Sequence, residues 1–190
     1  MIKKIIKKLH NIVLLHSYTT GELIKLHGGK VEGEVFIGQD VLVDYDYCFL
    51  LEIGKGAVIS ARVIIEFHDS SLPNVLGKGK TKIGKIKIGS RAYIGVNSVI
   101  LPGVNIGNGS IIGACSLVNC DIPKNQIWGG VPVKYICSVN DLIEKRKISK
   151  NPAIEFFDWI GEIEKKEFDY LVYKNRFINK VKLKFSKPQK

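Results

Sequence analysis

From Ile88 onward an aliphatic residue stands at every sixth position: Ile88, Ile94, Ile100, Ile106, Ile112 and Val118. Glycine follows four of them, at Gly89, Gly95, Gly107 and Gly113, and a small residue comes four places later at Ala92, Ser98, Ser110 and Ser116. A period of six matches neither the turn of an α-helix nor the simple alternation of a strand, but three such units close one turn of a triangular coil with short flat sides. The spacing therefore predicts an all-β fold, a parallel β-helix of hexapeptide repeats. Its aliphatic positions point inward, and its rungs stack about 4.8 Å apart. Glycine is expected at corners that need positive φ or close backbone approach.

The same pattern runs earlier and less regularly through Ile37-Gly38, Val43-Asp44, Ile53-Gly54, Ile59-Ser60 and Ile65-Glu66, and is taken up again at Ile83-Gly84. Between the last two lies an interruption, 67–82, with Pro73, Gly77, Gly79 and three lysines, which predicts a loop thrown out from one corner. Loops of this length in a compact fold are functional or disordered. Gly79-Lys80-Thr81 imitates the end of a phosphate-binding loop, but the motif's first glycine falls on Asn74, so that reading is rejected. The β-helix is expected over 31–136. A helical cap over 1–30 precedes it, with Ile2, Ile5, Ile6, Leu9, Ile12 and Val13 on one face and Lys3, Lys4, Lys7 and Lys8 on the other. A packed cap is the first reading of this segment, and peripheral contact with a membrane through a basic helix is the alternative. A helical extension over 137–190 follows, with helices expected at Asp141 to Ile148 and Pro152 to about Asn175.

Composition narrows the functional classes. With 190 residues and 45% hydrophobic residues the chain buries a core. No apolar run is long enough to span a membrane or to form a signal-peptide core, so a cytoplasmic location is expected. Cys48, Cys115, Cys120 and Cys137 form no C-x-x-C pair and have no histidines at zinc-ligand spacing, so reduced, mostly buried thiols and no metal are expected. The formal charge of +11 favours an anionic partner. Lysine is spread along the whole chain without aromatic interleaving, so nucleic acid is not the expected one.

Four segments go beyond the hexads: Ile65-Glu66-Phe67-His68-Asp69-Ser70, the run from Ala92 to Ile100, Ile112-Gly113-Ala114, and Gly129-Gly130-Val131-Pro132-Val133-Lys134. Through them the chain, from about Ile37 to Ile136, resembles the hexapeptide-repeat acyltransferases. Within that family it is similar to the sugar O-acetyltransferases and the galactoside or xenobiotic acetyltransferases. The resemblance implies a left-handed coil, a homotrimer with active sites between subunits, and acetyl-CoA as co-substrate. It also implies a sugar, nucleotide-sugar or glycan acceptor, in keeping with cell-surface polysaccharide synthesis.

Residue by residue, the resemblance makes His68 the general base, suited to take a proton from a hydroxyl as its oxygen attacks the thioester. His68 is the only histidine inside the repeat, since His10, His16 and His27 precede it. Glu66 or Asp69 is expected to fix its tautomer. The backbone N–H of Val96 is the implied oxyanion donor. Tyr93 is either a wall for the acceptor or a cap on the coil, and Asp44 or Asp46 is the implied acceptor-binding carboxylate. Gly113 and Ala114 match a pantetheine-binding turn, while Asn119 and Lys134 match positions at the adenine and phosphate end. Cys120 and Cys137 stand where many relatives carry Lys or Arg. The competing readings are an amino-sugar N-acetyltransferase and a non-catalytic scaffold. A γ-type carbonic anhydrase is excluded, because that enzyme needs three histidine ligands and the coil holds one.

Overall fold

The computed structural model describes residues 19–147. The expected helices in 1–15 and 152–175 lie outside the described residues. The chain winds repeatedly past three flat parallel sheets in a fixed order. The first side stacks Lys30–Val31, Leu51–Ile53, Ile86–Ile88 and Asn105–Ile106. The second stacks Phe36–Ile37, Val58–Ile59, Tyr93–Ile94, Ile111–Ile112 and Gln126–Gly129, and is closed by antiparallel Lys134–Ser138. The third stacks Leu42–Val43, Ile64–Ile65, Val99–Ile100 and Leu117–Val118.

Register explains the hexad. Ile53 aligns with Ile88 and Ile106, Ile59 with Ile94 and Ile112, and Ile65 with Ile100 and Val118, so each inward position rests on another one turn away. All six positions from Ile88 to Val118 are fully buried, as are Ala92, Ser98 and Ser110 at the corners. None of the four hexad glycines takes positive φ, and Gly89, Gly95 and Gly107 serve close approach. A Cβ on Gly95 would lie 2.5 Å from the nitrogen of Ala114. The left-handed conformations fall two places further along, on Arg91, Asn97 and Cys115 among others, and on Gly56 and Gly109 where that place is itself glycine.

The outward positions differ from side to side. Lys30, Glu52, Lys87 and Asn105 line the first, with a Lys30–Glu52 ion pair at 3.1 Å. Phe36, Val58, Tyr93 and Ile111 line the second, and Leu42, Ile64, Val99 and Leu117 the third. Phe36 and Leu42 are more than half exposed.

Two departures from the coil occur at the corner joining the third side to the first. A 3₁₀ helix, Tyr45–Leu50, is inserted in the first turn, capped by Asp44. In the second turn the chain leaves for an arm: strand His68–Asp69, helix Ser71–Leu76 and strand Lys82–Ile83. Phe67 is fully buried, and its carbonyl accepts from the N–H of Gly84 at 2.9 Å, so the neck closes just beyond the expected loop. Ile83, grouped by spacing with the inward positions, is half exposed because it pairs across the hairpin with His68. The helix Thr20–Leu26 precedes the first strand, and Val139–Lys147 follows the last. The latter starts two residues before the expected Asp141, because Ser138 and Asp141 exchange capping hydrogen bonds of 2.7–3.1 Å.

Candidate active site

The two departures stack on one another. Tyr47, from the 3₁₀ helix, lies against the His68 ring with centroids 5.0 Å apart and planes tilted by 26°. Asp44 uses Oδ1 to accept from the N–H of Asp46 at 3.1 Å, which holds the carboxylate at the helix start. Its Oδ2 lies 3.9 Å from Nδ1 of His68. That nitrogen is buried and has no hydrogen-bond partner among the described residues, while the imidazole as a whole is 35% exposed. The ring thus has a buried nitrogen beside a carboxylate and a face open to solvent.

Neither residue expected to hold the tautomer does so. Asp69 accepts from the N–H of Ser71 at 2.8 Å, and hydrogen bonding by Ser71, through its side chain first and its backbone second, holds the carboxyl below the usual range, with Lys82 adding to it. Glu66 makes no hydrogen bond or ion pair with the ring. Asp44 is the carboxylate beside the histidine, and Asp46 is exposed. For Asp69 alternation accounts for this: next to His68 on a strand, it faces the opposite side of the hairpin. Tyr47 was not singled out from sequence. Its only signal was that the run from Val43 to Tyr47 breaks the hexad.

The expected oxyanion and pantetheine positions lie elsewhere, on the corner joining the second side to the third. Val96 and Ala114 occupy equivalent places one turn apart. Among the described residues, neither N–H takes a hydrogen-bond partner, whereas those of Gly95 and Cys115 on either side are bonded at 2.9 and 2.8 Å. Two open donors therefore follow one edge of the coil at rung spacing, about 4.8 Å. Gly113 differs from Gly95: an added Cβ would meet nothing closer than 3.6 Å, so its neighbours in the chain do not require glycine. The space a Cβ would take there, bounded by Gly129, Trp128 and Ser116, forms a small notch beside the turn.

Tyr93 is 44% exposed on the second side and does not cap the coil. Asn119 and Lys134 are exposed, Asn119 at the third-to-first corner and Lys134 opposite Gly129. The cysteines divide evenly. Cys48 and Cys137 are buried, and burial raises the Cys48 thiol to about 11, whereas Cys115 and Cys120 stand exposed at corners. The expectation of mostly buried thiols is corrected accordingly. Among the described residues no group of three His, Cys, Asp or Glu side chains gathers to hold a metal ion, and no helix is long and apolar enough to cross a membrane.

The structure brings His68 and Asp44 together on one corner, and Val96, Gly113 and Ala114 together on another. It does not bring the two groups together within one chain. A side of six residues at about 3.3 Å each separates the corners by roughly 15–20 Å.

Comparison with known proteins agrees with this architecture. The family described as "Bacterial transferase hexapeptide (six repeats)" matches residues 85–120. The provisionally named lipopolysaccharide biosynthesis O-acetyl transferase WbbJ of Escherichia coli (strain K12) is 34% identical over 139 residues, covering 65% of this chain and 70% of that protein. Galactoside O-acetyltransferase of the same organism is 37% identical over 94 residues, covering 49% of this chain and 46% of that one. A galactoside acetyltransferase solved in complex with coenzyme A superposes with a TM-score of 0.47 at 28% identity, over 67% of each chain. From its repeat and from the extent of its likeness to the first of these relatives, the chain belongs to the hexapeptide-repeat acyltransferases.

Proposed function

We propose that the protein transfers the acetyl group of acetyl-CoA to a hydroxyl of a sugar, free or carried on a nucleotide or glycan, in cell-surface polysaccharide synthesis. The observation that carries this reading is the His68–Asp44 pair: an accessible imidazole whose buried nitrogen faces a carboxylate. Acetyl-CoA supplies an activated thioester, and His68 has the proton to move. With Nδ1–H directed at Asp44, Nε2 is left as the base that accepts the proton of the acceptor hydroxyl. The gap of 3.9 Å is longer than a hydrogen bond and fits one that tightens when substrate is bound. Asp44 then stabilises the imidazolium, so its role is positioning rather than the acceptor binding expected from sequence. The open N–H of Val96 is suited to the oxyanion, and the open N–H of Ala114, beside the Gly113 notch, to the pantetheine. Tyr93 is assigned to the acceptor, and Asn119 and Lys134 to the nucleotide end.

The separation of these two groups supports a site completed by a second copy of the chain. The rows of aliphatic and aromatic residues on two outer sides provide surface for association. We therefore read the assembly as a left-handed β-helical homotrimer working in the cytoplasm.

Release of free thiol from acetyl-CoA across hydroxyl sugars and amino sugars tests the reaction. Release with hydroxyl sugars is expected. Release with amino sugars alone would make the enzyme an N-acetyltransferase, and no release together with no CoA binding would leave a scaffold. His68→Ala should lower kcat by roughly 100- to 10,000-fold with CoA affinity unchanged. Near-normal turnover by that variant would end the mechanism.

A further inference from the structure

Three hexad serines are buried inside the coil at Ser98, Ser110 and Ser116, but their hydroxyls do different things. Ser110 Oγ donates to the carbonyl of Pro123 at 2.6 Å and makes no second hydrogen bond among the described residues. Ser116 Oγ donates to the carbonyl of Gly113 at 2.6 Å and accepts from the N–H of Gly130 at 3.1 Å. Ser98 Oγ donates to the same Gly113 carbonyl at 3.1 Å and accepts from the N–H of Ser116 at 3.4 Å. Two hydroxyls converge on one carbonyl oxygen and fill both of its lone pairs.

That carbonyl belongs to the peptide unit whose N–H is Ala114's. A trans peptide is planar and its C=O and N–H point in opposite directions, so pulling the Gly113 oxygen inward turns the Ala114 N–H outward. The filled oxygen has no capacity left for a ligand, whereas the N–H is open. Ser116 also ties this turn to Gly130, four residues before Lys134, and so links two segments read as binding the two ends of CoA.

We propose that Ser116, assisted by Ser98, is a positioning residue for acetyl-CoA: the two hydroxyls hold the Gly113–Ala114 peptide in the orientation that presents its N–H to the pantetheine. The proposal rests on the reading of Gly113-Ala114 as the pantetheine turn. Removing the Ser116 hydroxyl leaves the peptide held by the longer Ser98 bond alone and the Gly130 N–H without its acceptor.

Steady-state kinetics and melting of Ser116→Ala, Ser98→Ala, Ser110→Ala and Ala114→Trp test it. A neutral hydrogen bond is worth a factor of roughly 2 to 12 in an equilibrium. Ser116→Ala should therefore raise KM for acetyl-CoA about 3- to 10-fold while kcat at saturation is retained, with Ser98→Ala shifting it in the same direction. Ser110→Ala loses a buried hydrogen bond of the same length but should leave that KM unchanged. Ala114→Trp, which crowds the turn directly, should raise it so far that almost no turnover remains at attainable acetyl-CoA. If Ser116→Ala and Ser110→Ala melt lower alike and both keep the wild-type KM while Ala114→Trp does not, the serine proposal alone falls. If Ala114→Trp also keeps it, the pantetheine turn is misplaced and both readings fall. Should Ser116→Ala not fold, an unchanged KM in Ser98→Ala overturns the proposal equally.

Discussion

Two glycines at the same corner, one turn apart, should respond to alanine in opposite ways. At Gly95 the new Cβ would lie 2.5 Å from the nitrogen and 2.7 Å from the Cα of Ala114. Real Cβ atoms keep about 3.4 Å or more from such neighbours, so the next rung has to move by nearly 1 Å. It is held by hydrogen bonds of 2.9 Å from Gly95 to Ile112 and 2.8 Å from Cys115 to Val96. Overpacking costs about 1–3 kcal/mol, and a clash with backbone belongs at the top of that range. At about 2–4 °C per kcal/mol for a chain of this size, Gly95→Ala should lower Tm by roughly 6–12 °C. At Gly113 the nearest atoms to the new Cβ are at 3.6, 3.6 and 3.8 Å, which is ordinary contact. The substitution restricts the unfolded chain and stabilises by about 0.4–1 kcal/mol, so Tm should hold or rise slightly. Its methyl would fill the notch beside the turn, however, and KM for acetyl-CoA should rise. Thermal melting and steady-state kinetics of the two purified variants make the comparison. A wild-type Tm for Gly95→Ala would contradict the stacking of these rungs. A Gly113→Ala protein destabilised like Gly95→Ala would show that its glycine is structural rather than a place of close approach.

Ile106 is fully buried in the central column, so Ile106→Ala should cost about 2–5 kcal/mol, read from the denaturant midpoint; an unchanged midpoint would contradict its inward placement. Alkylation at pH 8 should label exposed Cys115 and Cys120 well before Cys48, whose thiolate forms only near pH 11 and whose side chain is buried; equal rates by mass spectrometry would refute that environment.

What could be read from the sequence and what could not separate along the period of six. Ile88 to Val118 declared their inward positions because a repeating unit that stacks on copies of itself imposes the same demand at every sixth residue. The Asp44–His68 contact carries no such signal. It joins residues 24 apart through two insertions, each breaking the period at the same corner, and only stacking of the turns shows that they meet. The roles of the glycines were half legible: positive φ or close approach was expected of them, Gly95 shows the close approach, and positive φ fell on Asn97 and Cys115 because the turn is made two residues later. Ile83 misled for a related reason. Its Ile-Gly pair imitates a hexad, while the alternation of a hairpin strand decides where its side chain goes. That the base and the open N–H donors hang on different corners was beyond any linear reading, since it depends on which side of the triangle each turn leaves from.

This separation makes the shared active site the central claim, and subunit complementation tests it most directly. His68→Ala and Ala114→Trp chains should each be inactive or nearly so alone, because one lacks the base and the other the cofactor turn. Mixed in equal amounts, unfolded and refolded together, they form some sites with an intact base from one chain and an intact turn from its neighbour. In a cyclic assembly with random mixing about one site in four is of this kind. The account predicts recovery of roughly a quarter of wild-type thiol release, in an oligomer that contains both chains. No recovery in verified mixed oligomers would place base and cofactor on the same chain and contradict it.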